Sequence, residues 1–330
     1  MRVKYERKNM LILGLDGGAT KTNCIIINEE YEILGISSSG PCNYHAVGID
    51  IAKKNIEEAI RNSLKNIGKN KIDIAGLGIG GLNTEKDYEV ILGIIKSIGL
   101  IEKYKIVNDV NVAYYACTKG NPGIITIAGT GSIVYGRNSL GEECYSGGWG
   151  WLIGDEGSAF YIARKALQEA TKAFDGRGEK TILVDLIINE LKLKNFNEII
   201  DYVYSKVESH RIAKLAPIVT KAAIKGDKIA KNILNNAAEE LILAAKTVYK
   251  KLKMEKENKV IIGGVGGVFN SNIIWEKYKS SMEKLKNVYI HPLLKGYQPA
   301  IGGIILALKE FIGEYNEKSI DKLFKEIELL

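Results

Sequence analysis

Cysteine, histidine, proline and uninterrupted apolar stretches are all scarce in this chain of 330 residues. The four cysteines, at 24, 42, 117 and 144, form no C-x-x-C and have no histidine partners at ligand spacing. A zinc ribbon or disulfide scaffold is therefore not supported, and a reducing, cytoplasmic location is the expectation. Histidines 45, 210 and 291 are scattered and no Gly-x-Ser-x-Gly elbow occurs, so a hydrolase triad is not spelled. A run free of Asp, Glu, Lys and Arg from Gly120 to Gly136 is broken by several Gly and Thr, which argues against a membrane-spanning helix. The N-terminal MRVKYERKNM is charged and lacks an apolar segment with a cleavage site, so no secretory signal is expected. Lys and Arg exceed Asp and Glu by 7, without the like-charge block of a nucleic-acid-binding arm.

What is present is enough apolar content, 46%, to bury a real core, and a length that suggests roughly two domains. Glycine is abundant, 35 residues against 5 prolines, and clusters directly after short apolar runs. The runs are Met10-Leu-Ile-Leu-Gly-Leu, Ile72-Asp-Ile-Ala-Gly-Leu, Ile124-Ile-Thr-Ile and Val260-Ile-Ile. That pattern is how an α/β protein writes strand ends that approach a ligand. Between the runs, Ile56, Ala59, Ile60, Leu64 and Ile67, then Tyr88, Ile91, Leu92 and Ile95, recur at amphipathic-helix spacing. Further helices are expected at 157–174, 179–192, about 211–225, 227 to about 252, and 298–316. Strands followed by helices predict mostly parallel sheets covered by helices. Residues 10–40 read as strand, Gly-rich turn, strand, turn, strand, and residues 123–145 repeat that grammar. Two duplicated α/β halves meeting near Lys119-Gly-Asn-Pro122 are the expectation.

Turns of small residues between strands expose backbone N–H groups, and such a concavity attracts phosphate. The first is Asp16-Gly17-Gly18-Ala19-Thr20-Lys21-Thr22, in which Asp16 can hold Mg²⁺ and Thr20, Lys21 and Thr22 can donate to phosphate. The second, Gly129-Thr130-Gly131, offers a cradle without charge. Each alone reads equally as a tight hairpin; the pair in equivalent positions favours phosphate. Neither is a Walker loop. Gly76-Leu-Gly78-Ile-Gly80-Gly81 matches G-x-G-x-x-G, but the next helix starts only near Thr84, so close packing or ligand approach accounts for these glycines better than a dinucleotide site. Asp109 either caps the helix it precedes or accepts a proton from a substrate hydroxyl. In Gly147-Gly-Trp-Gly-Trp-Leu-Ile-Gly-Asp-Glu-Gly-Ser158, aromatic rings and carboxylates beside glycine suit a sugar, with Asp155 or Glu156 as a helix cap the competing account. Gly263-Gly-Val-Gly-Gly-Val-Phe269 opens a helix from about Asn270 and is either a simple turn or a nucleotide-receiving junction. His45 is a packing or supporting residue only.

Taken together these segments, with Gly40-Pro-Cys-Asn43-Tyr-His45 and Asn108-Asp109, resemble the N-acetylglucosamine kinase and archaeal hexokinase branch, BadF/BadG/BcrA/BcrD ATPase-like, of the sugar kinase/actin superfamily. The resemblance spans about residues 10–305. It implies an α/β fold of two RNase H-like, actin-like ATPase lobes with an inter-lobe cleft for ATP and sugar. The lobes would be 1–119, with the C-terminal helix at about 316–330 a candidate to rejoin it, and 120–315. By the same resemblance Asp16 would sit near Mg²⁺, and Gly17, Gly18, Thr20, Lys21 and Thr22 would hold the β/γ-phosphates. Gly129, Thr130 and Gly131 would form the second phosphate turn, and Gly263, Gly264, Gly266 and Gly267 would lie against the adenosine. Asn43, Asp109, Ser132, Gly148, Trp149 and Asp155 would bind sugar hydroxyls, with Asp109 the base on the primary hydroxyl. A homodimer is also implied. Ile133 departs from the Asn of animal N-acetylglucosamine kinases, which bears on the acetamido group, and the Cys-x-Cys-Gly zinc motif of another sugar-kinase family is absent.

The function so implied is ATP-dependent phosphorylation of the 6-hydroxyl of a hexose or hexosamine. Two rivals share the resemblance: an iron–sulfur activase of 2-hydroxyacyl-CoA dehydratases, which needs cluster-binding cysteines, and a non-catalytic sugar sensor, which would not need Asp109.

Overall fold

The first apolar run forms strand β1 (Ile12–Gly17), which turns back into β2 (Thr22–Ile27) and again into β3 (Ile33–Ser39). Helices α1 (Tyr44–Val47) and α2 (Ile49–Leu64) follow, then β4 (Ile72–Ile79), α3 (Glu85–Ile98), β5 (Ile101–Val107) and α4 (Asp109–Thr118). This computed structural model describes residues 10–205 and 208–329. The charged segment 1–9 considered for a secretory signal lies outside them, as does Leu330. β1 pairs antiparallel with β2 and parallel with β4, and the sheet order is β3-β2-β1-β4-β5. Being central, β1 is apolar on both faces. Leu11, Leu13 and Leu15 pack with Ile56 and Ile60 of α2 and Ile91 and Ile95 of α3, while Ile12 packs on the opposite face. α3 begins with a capping box in which Thr84 and Asp87 satisfy each other's backbone N–H.

The second unit repeats the grammar. Strands β6 (Gly123–Ala128), β7 (Ser132–Arg137) and β8 (Glu143–Gly147) form an antiparallel meander. Helices α5 (Ala159–Phe174), α6 (Leu183–Leu191), α7 (Ile199–Tyr204), α8 (Ser209–Ala213), α9 (Ala216–Ile224) and α10 (Lys228–Lys251) follow. Strand β9 (Val260–Val265), helix α11 (Asn272–Met282) and strand β10 (Val288–Ile290) complete it. Its order, β10-β9-β6-β7-β8, with β9 parallel to β6, is that of the first sheet. Ile124, Ala128 and Val134 of this sheet share a core with Ala166, Leu234, Ala238 and Leu241 from the covering helices. The architecture is mixed α/β with two five-stranded sheets; each is half antiparallel rather than mostly parallel, because its first three strands are joined by short turns that reverse the chain.

After β10 the chain returns to the first unit through α12 (Gln298–Phe311) and α13 (Glu317–Glu328). The two units are Met1–Gly120 with Leu294–Leu330, and Asn121–Leu293. The returning segment thus begins at Leu294, earlier than the 316 of the sequence reading, because α12 supplies Ala300, Ile301, Ile304 and Ile305 to the outer face of the first sheet. Two other expectations change, and one strand was not foreseen. The helix expected at 211–225 is two, α9 starting anew with Pro217 in its first turn, where a missing N–H costs nothing. The helix expected from Asn270 begins at Asn272, after a 3-10 turn at Gly267–Asn270. Strand β5 escapes notice because Ile101-Glu-Lys-Tyr-Lys carries exposed charges, as sheet edges do. Among the described residues no helix is long and apolar enough to cross a membrane.

Glycine sets how closely α12 approaches the sheet. A Cβ at Gly14 would stand 2.0 Å from the Ala300 carbonyl oxygen, and one at Gly76 2.0 Å from that of Gly303. One at Gly302 would stand 1.8 Å from the Val112 carbonyl oxygen of α4. These obstacles are backbone, which cannot rotate away. Gly14→Ala is therefore expected to destabilise the protein by about 3 kcal/mol or more, the upper end for overpacking. Gly93→Ala, inside α3 with nothing near the new methyl, should instead stabilise by about 0.5–1 kcal/mol. Urea midpoints of the two variants test the contrast; equal shifts would contradict it.

Candidate active site

In the first unit the candidate residues converge at the end of β1. The Gly18 N–H donates to the Lys21 carbonyl at 3.0 Å and closes the turn, leaving Thr20 and Lys21 exposed. The turn is held from behind by backbone. Gly80 N–H donates to the Gly17 carbonyl at 2.7 Å, and Cys42 and Asn43 N–H donate to the Gly18 carbonyl at 3.1 and 3.4 Å. Asp109 opens α4, but the cap is its neighbour: Asn108 Oδ1 accepts from Val110 N–H at 3.1 Å, and Asn108 Nδ2 donates to the Leu82 carbonyl at 3.1 Å. Of the two accounts of Asp109, capping thus falls to Asn108. The Asp109 carboxylate lies over glycine backbone, where a Cβ would stand 3.5 Å from Oδ2 at Gly18 and 2.9 Å at Gly80. Asn43 Oδ1 accepts from His45 N–H at 3.1 Å and fills the space a Cβ would need at Gly81.

The electrostatics of this corner are unfavourable by themselves. Burial, then the charge of Asp109, push the Asp16 carboxyl up to about 7, with Lys21 pulling it back. Burial likewise pushes Asp109 up to about 6 against the pull of the Val110 amide and its own. A carboxylate stripped of water beside another is a place that favours a cation. Mg²⁺ is characteristically held by one or two carboxylates together with water and phosphate oxygens. The residues present therefore fit a divalent cation together with phosphate oxygens.

In the second unit the equivalent turn carries no ionised side chain. Ala159 and Phe160, in the first turn of α5, donate their N–H groups to the carbonyls of Gly129 and Thr130 at 2.8 and 3.3 Å. Ser132 N–H donates to Asp155 Oδ1 at 3.2 Å, and Ser132 Oγ donates to the Glu156 carbonyl at 2.7 Å. Asp155 adopts φ 57°, rare for a residue with a side chain. Burial raises its pKa, the Ser132 amide lowers it, and Glu156 raises it further. Here too the cap is a neighbour, Ser158, whose Oγ accepts from Tyr161 N–H. Gly148 rests on Ile133, 2.7 Å separating a would-be Cβ from Cδ1, and Trp149 is 74% exposed. Gly266 packs against Ala128, its would-be Cβ 2.3 Å from the carbonyl oxygen, and Gly267 is open.

Three candidates turn out to be engaged in structure. Thr22 is buried, and its hydroxyl donates to the Gly40 carbonyl at 2.8 Å. Gly263 and Gly264 sit inside β9 opposite Ile125 and Thr126, and the Phe269 ring occupies the space beside Gly264. Sequence reasoning assigned no site role to Gly80, Gly81 or Asp87. The first two were visible as a G-x-G-x-x-G run whose use, backing a carboxylate and an amide, is tertiary.

Two α/β lobes with the same five-strand order, each presenting a glycine-rich hairpin at the end of its central strand, define an actin-like ATPase fold. A solved structure from Chromobacterium violaceum, described provisionally as an N-acetylglucosamine kinase, is similar with a TM-score of 0.75 at 20% identity, covering 91% of this chain and 99% of its own. The BadF/BadG/BcrA/BcrD ATPase family model matches residues 13–307, and the chain belongs to that family. It is 37% identical over 303 residues to the N-acetylmuramic acid/N-acetylglucosamine kinase of Clostridium acetobutylicum, covering 91% of this chain and 98% of that one. It is 34% identical over 313 residues to the N-acetyl-D-glucosamine kinase of Dictyostelium discoideum, covering 90% and 98%.

Because folding raises the Asp16 carboxyl, the folded chain binds more protons than the unfolded chain between the ordinary carboxylate value and about pH 7. Stability of the ligand-free protein therefore falls as pH rises through that window. Asp16→Asn is expected to raise Tm at pH 8 by about 2 °C or more and to change it little at pH 4. Thermal unfolding at both values decides, and a lower Tm at pH 8 would refute the assignment.

Proposed function

We propose that this protein is an ATP-dependent kinase that phosphorylates the 6-hydroxyl of a hexosamine or hexose, the N-acetylglucosamine class foremost. The observation that carries the reading is the Asp109 carboxylate at the start of α4. It lies over the Gly18 and Gly80 backbone beside the phosphate-type turn, with a pKa raised to about 6. At neutral pH such a group is ionised yet basic enough to take the proton of an alcohol as its oxygen bonds to phosphorus. The names of the curated relatives, N-acetylmuramic acid/N-acetylglucosamine kinase and N-acetyl-D-glucosamine kinase, support the same class.

Roles follow from the chemistry of the side chains. Thr20 and Lys21 present a hydroxyl and an ammonium suited to β- and γ-phosphate oxygens, on a turn that Gly17 and Gly18 close with backbone bonds, and Gly129, Thr130 and Gly131 form a neutral turn suited to phosphate. Thr22 braces the first turn through Gly40. Gly266 and Gly267 are left to receive the adenosine, with Gly263 and Gly264 forming the strand beneath them. A magnesium ion, held through Asp16, would neutralise charge on the transferring group. Of the residues proposed for sugar hydroxyls, Asn43 and Asp109 belong to the first unit, and Ser132, Gly148, Trp149 and Asp155 belong to the second. Because phosphoryl transfer through a loose transition state depends mostly on positioning and charge, the chain's own task is to orient the alcohol, exclude water and hold the proton on Asp109.

The activase reading lacks ligands. Cys24, Cys42 and Cys117 are buried among apolar side chains, burial pushing the first two thiols up to about 12, and only Cys144 of the four is partly exposed.

A coupled ADP-release assay over glucose, mannose, glucosamine, N-acetylglucosamine and N-acetylmannosamine tests the function; no turnover on any of them would overturn it. With the best sugar, Asp109→Asn should cut kcat by about 10²-fold or more while sugar binding, measured by calorimetry, is retained. Wild-type kcat/KM should fall on the acid side of about pH 6 as Asp109 takes up a proton.

A further inference from the structure

Asp87 lies at the third position of α3 and is 4% exposed, outside every role assigned above. Its carboxylate nevertheless receives five donors from two segments. On one side Asn83 N–H, Thr84 N–H and Thr84 Oγ donate to Oδ2 at 3.0, 2.8 and 2.9 Å. On the other, the Tyr44 hydroxyl donates to Oδ1 and His45 Nε2 sits 2.9 Å from that same atom. The first three bonds belong to the start of α3. The last two do not, since they come from a short helix 42 and 43 residues earlier in the chain. That helix is the one capped by Asn43.

We infer that Asp87 is a positioning residue for sugar recognition, which ties the Tyr44–His45 turn to the 81–84 loop and thereby fixes Asn43 against Gly81. The inference rests on the kinase reading above. Its physical basis is that α1, at four residues, is far too short to hold itself. Asn43 has its side-chain oxygen spent on the cap and against Gly81, and its N–H on the Gly18 carbonyl. Its amide group is therefore oriented by neighbours, and the side-chain hydrogen bonds of Tyr44 and His45 run to Asp87. A carboxylate suits the junction because both oxygens accept. Hydrogen bonding from Tyr44, Thr84 and Asn83 holds the Asp87 pKa well below the usual range despite burial, so the charge persists at working pH. Conversely the carboxylate raises the Tyr44 hydroxyl to about 12, keeping it a donor.

The two halves of the junction can be cut separately. The double variant Tyr44→Phe with His45→Ala removes the tether but leaves the capping box of α3, so the fold should persist, with Tm within about 2 °C of wild type. KM for the preferred sugar should rise about 10-fold, the cost of one to two lost hydrogen bonds. KM for ATP and kcat at saturating sugar should change less than about threefold. Asp87→Asn, which turns an amide NH₂ toward backbone donors, should add a loss of Tm to the same rise in sugar KM. Sugar KM within about twofold of wild type in the double variant, or a uniform loss in kcat and both KM values, would overturn the positioning role while leaving the kinase reading intact. Failure of the wild type to phosphorylate any sugar would instead overturn the reading on which it rests.

Discussion

Two carboxylates placed where water is thin govern the first unit. Asp16 ends the central strand and Asp109 begins a helix, and burial raises both. Among the described residues, what offsets this is Lys21 and two helix-start amides. A fold that held such a pair for stability alone would be poorly served, because an uncompensated charge away from water is costly. The surrounding sequence is arranged to keep them there. Gly18 and Gly80 leave backbone under Asp109, and N–H groups from Cys42, Asn43 and Gly80 fasten the turn so that it cannot relax away. Local instability at a site otherwise over-determined by backbone bonds is the usual price of preorganisation.

The same five-strand order serves two different chemistries. In the first unit the hairpin after the central strand is flanked by ionisable groups. In the second it is backbone and hydroxyl only, and its one buried acid, Asp155, is bound to the Ser132 amide. Duplication therefore repeats geometry, strand end, tight turn, next strand, but not function. The two acids differ in their settings: Asp109 Oδ2 lies over the backbone of Gly18 and Gly80, whereas Asp155, in a left-handed conformation, lies over Gly131 and accepts from the Ser132 amide.

Much of this was legible from residue order. The apolar runs ending in glycine marked β1, β4, β6 and β9, and the repeated strand–turn–strand grammar marked the two sheets, because period and turn chemistry are local properties. The edge strands β5 and β10 were not legible: one is charged along its exposed side and the other is three residues long. Nor was the place of α12, since an apolar helix does not announce which sheet it covers. Its glycines, Gly302 and Gly303, make sense only against Val112 and Gly76. At the site, residue types singled out Asp16, Asn43 and Asp109 as candidates, but the spacing could not separate an acid that caps from one that waits beside a capping neighbour. Asn108 and Ser158 do the capping, the first directly before Asp109 and the second two residues after Glu156. Thr22 was misleading for a related reason: its hydroxyl suits phosphate, yet its place in β2 turns it inward to Gly40.

The segment after β8 shows the opposite economy. Trp149, Leu152 and Ile153 are 74%, 73% and 75% exposed, among glycines at 147, 148, 150 and 157 that all have positive φ. Exposed apolar surface concentrated in a few consecutive residues is uncommon unless something is bound over it, and glycine at left-handed positions is the residue type that lets such a segment turn repeatedly without strain. In the first unit, by contrast, every candidate except the exposed turn is fastened: Asn43 by its cap, Gly17 and Gly18 by backbone bonds, Asp109 by the capped helix it opens. The fastened elements can hold groups aligned within fractions of an ångström, whereas the glycine-rich segment offers apolar contact, which tolerates more variation in distance.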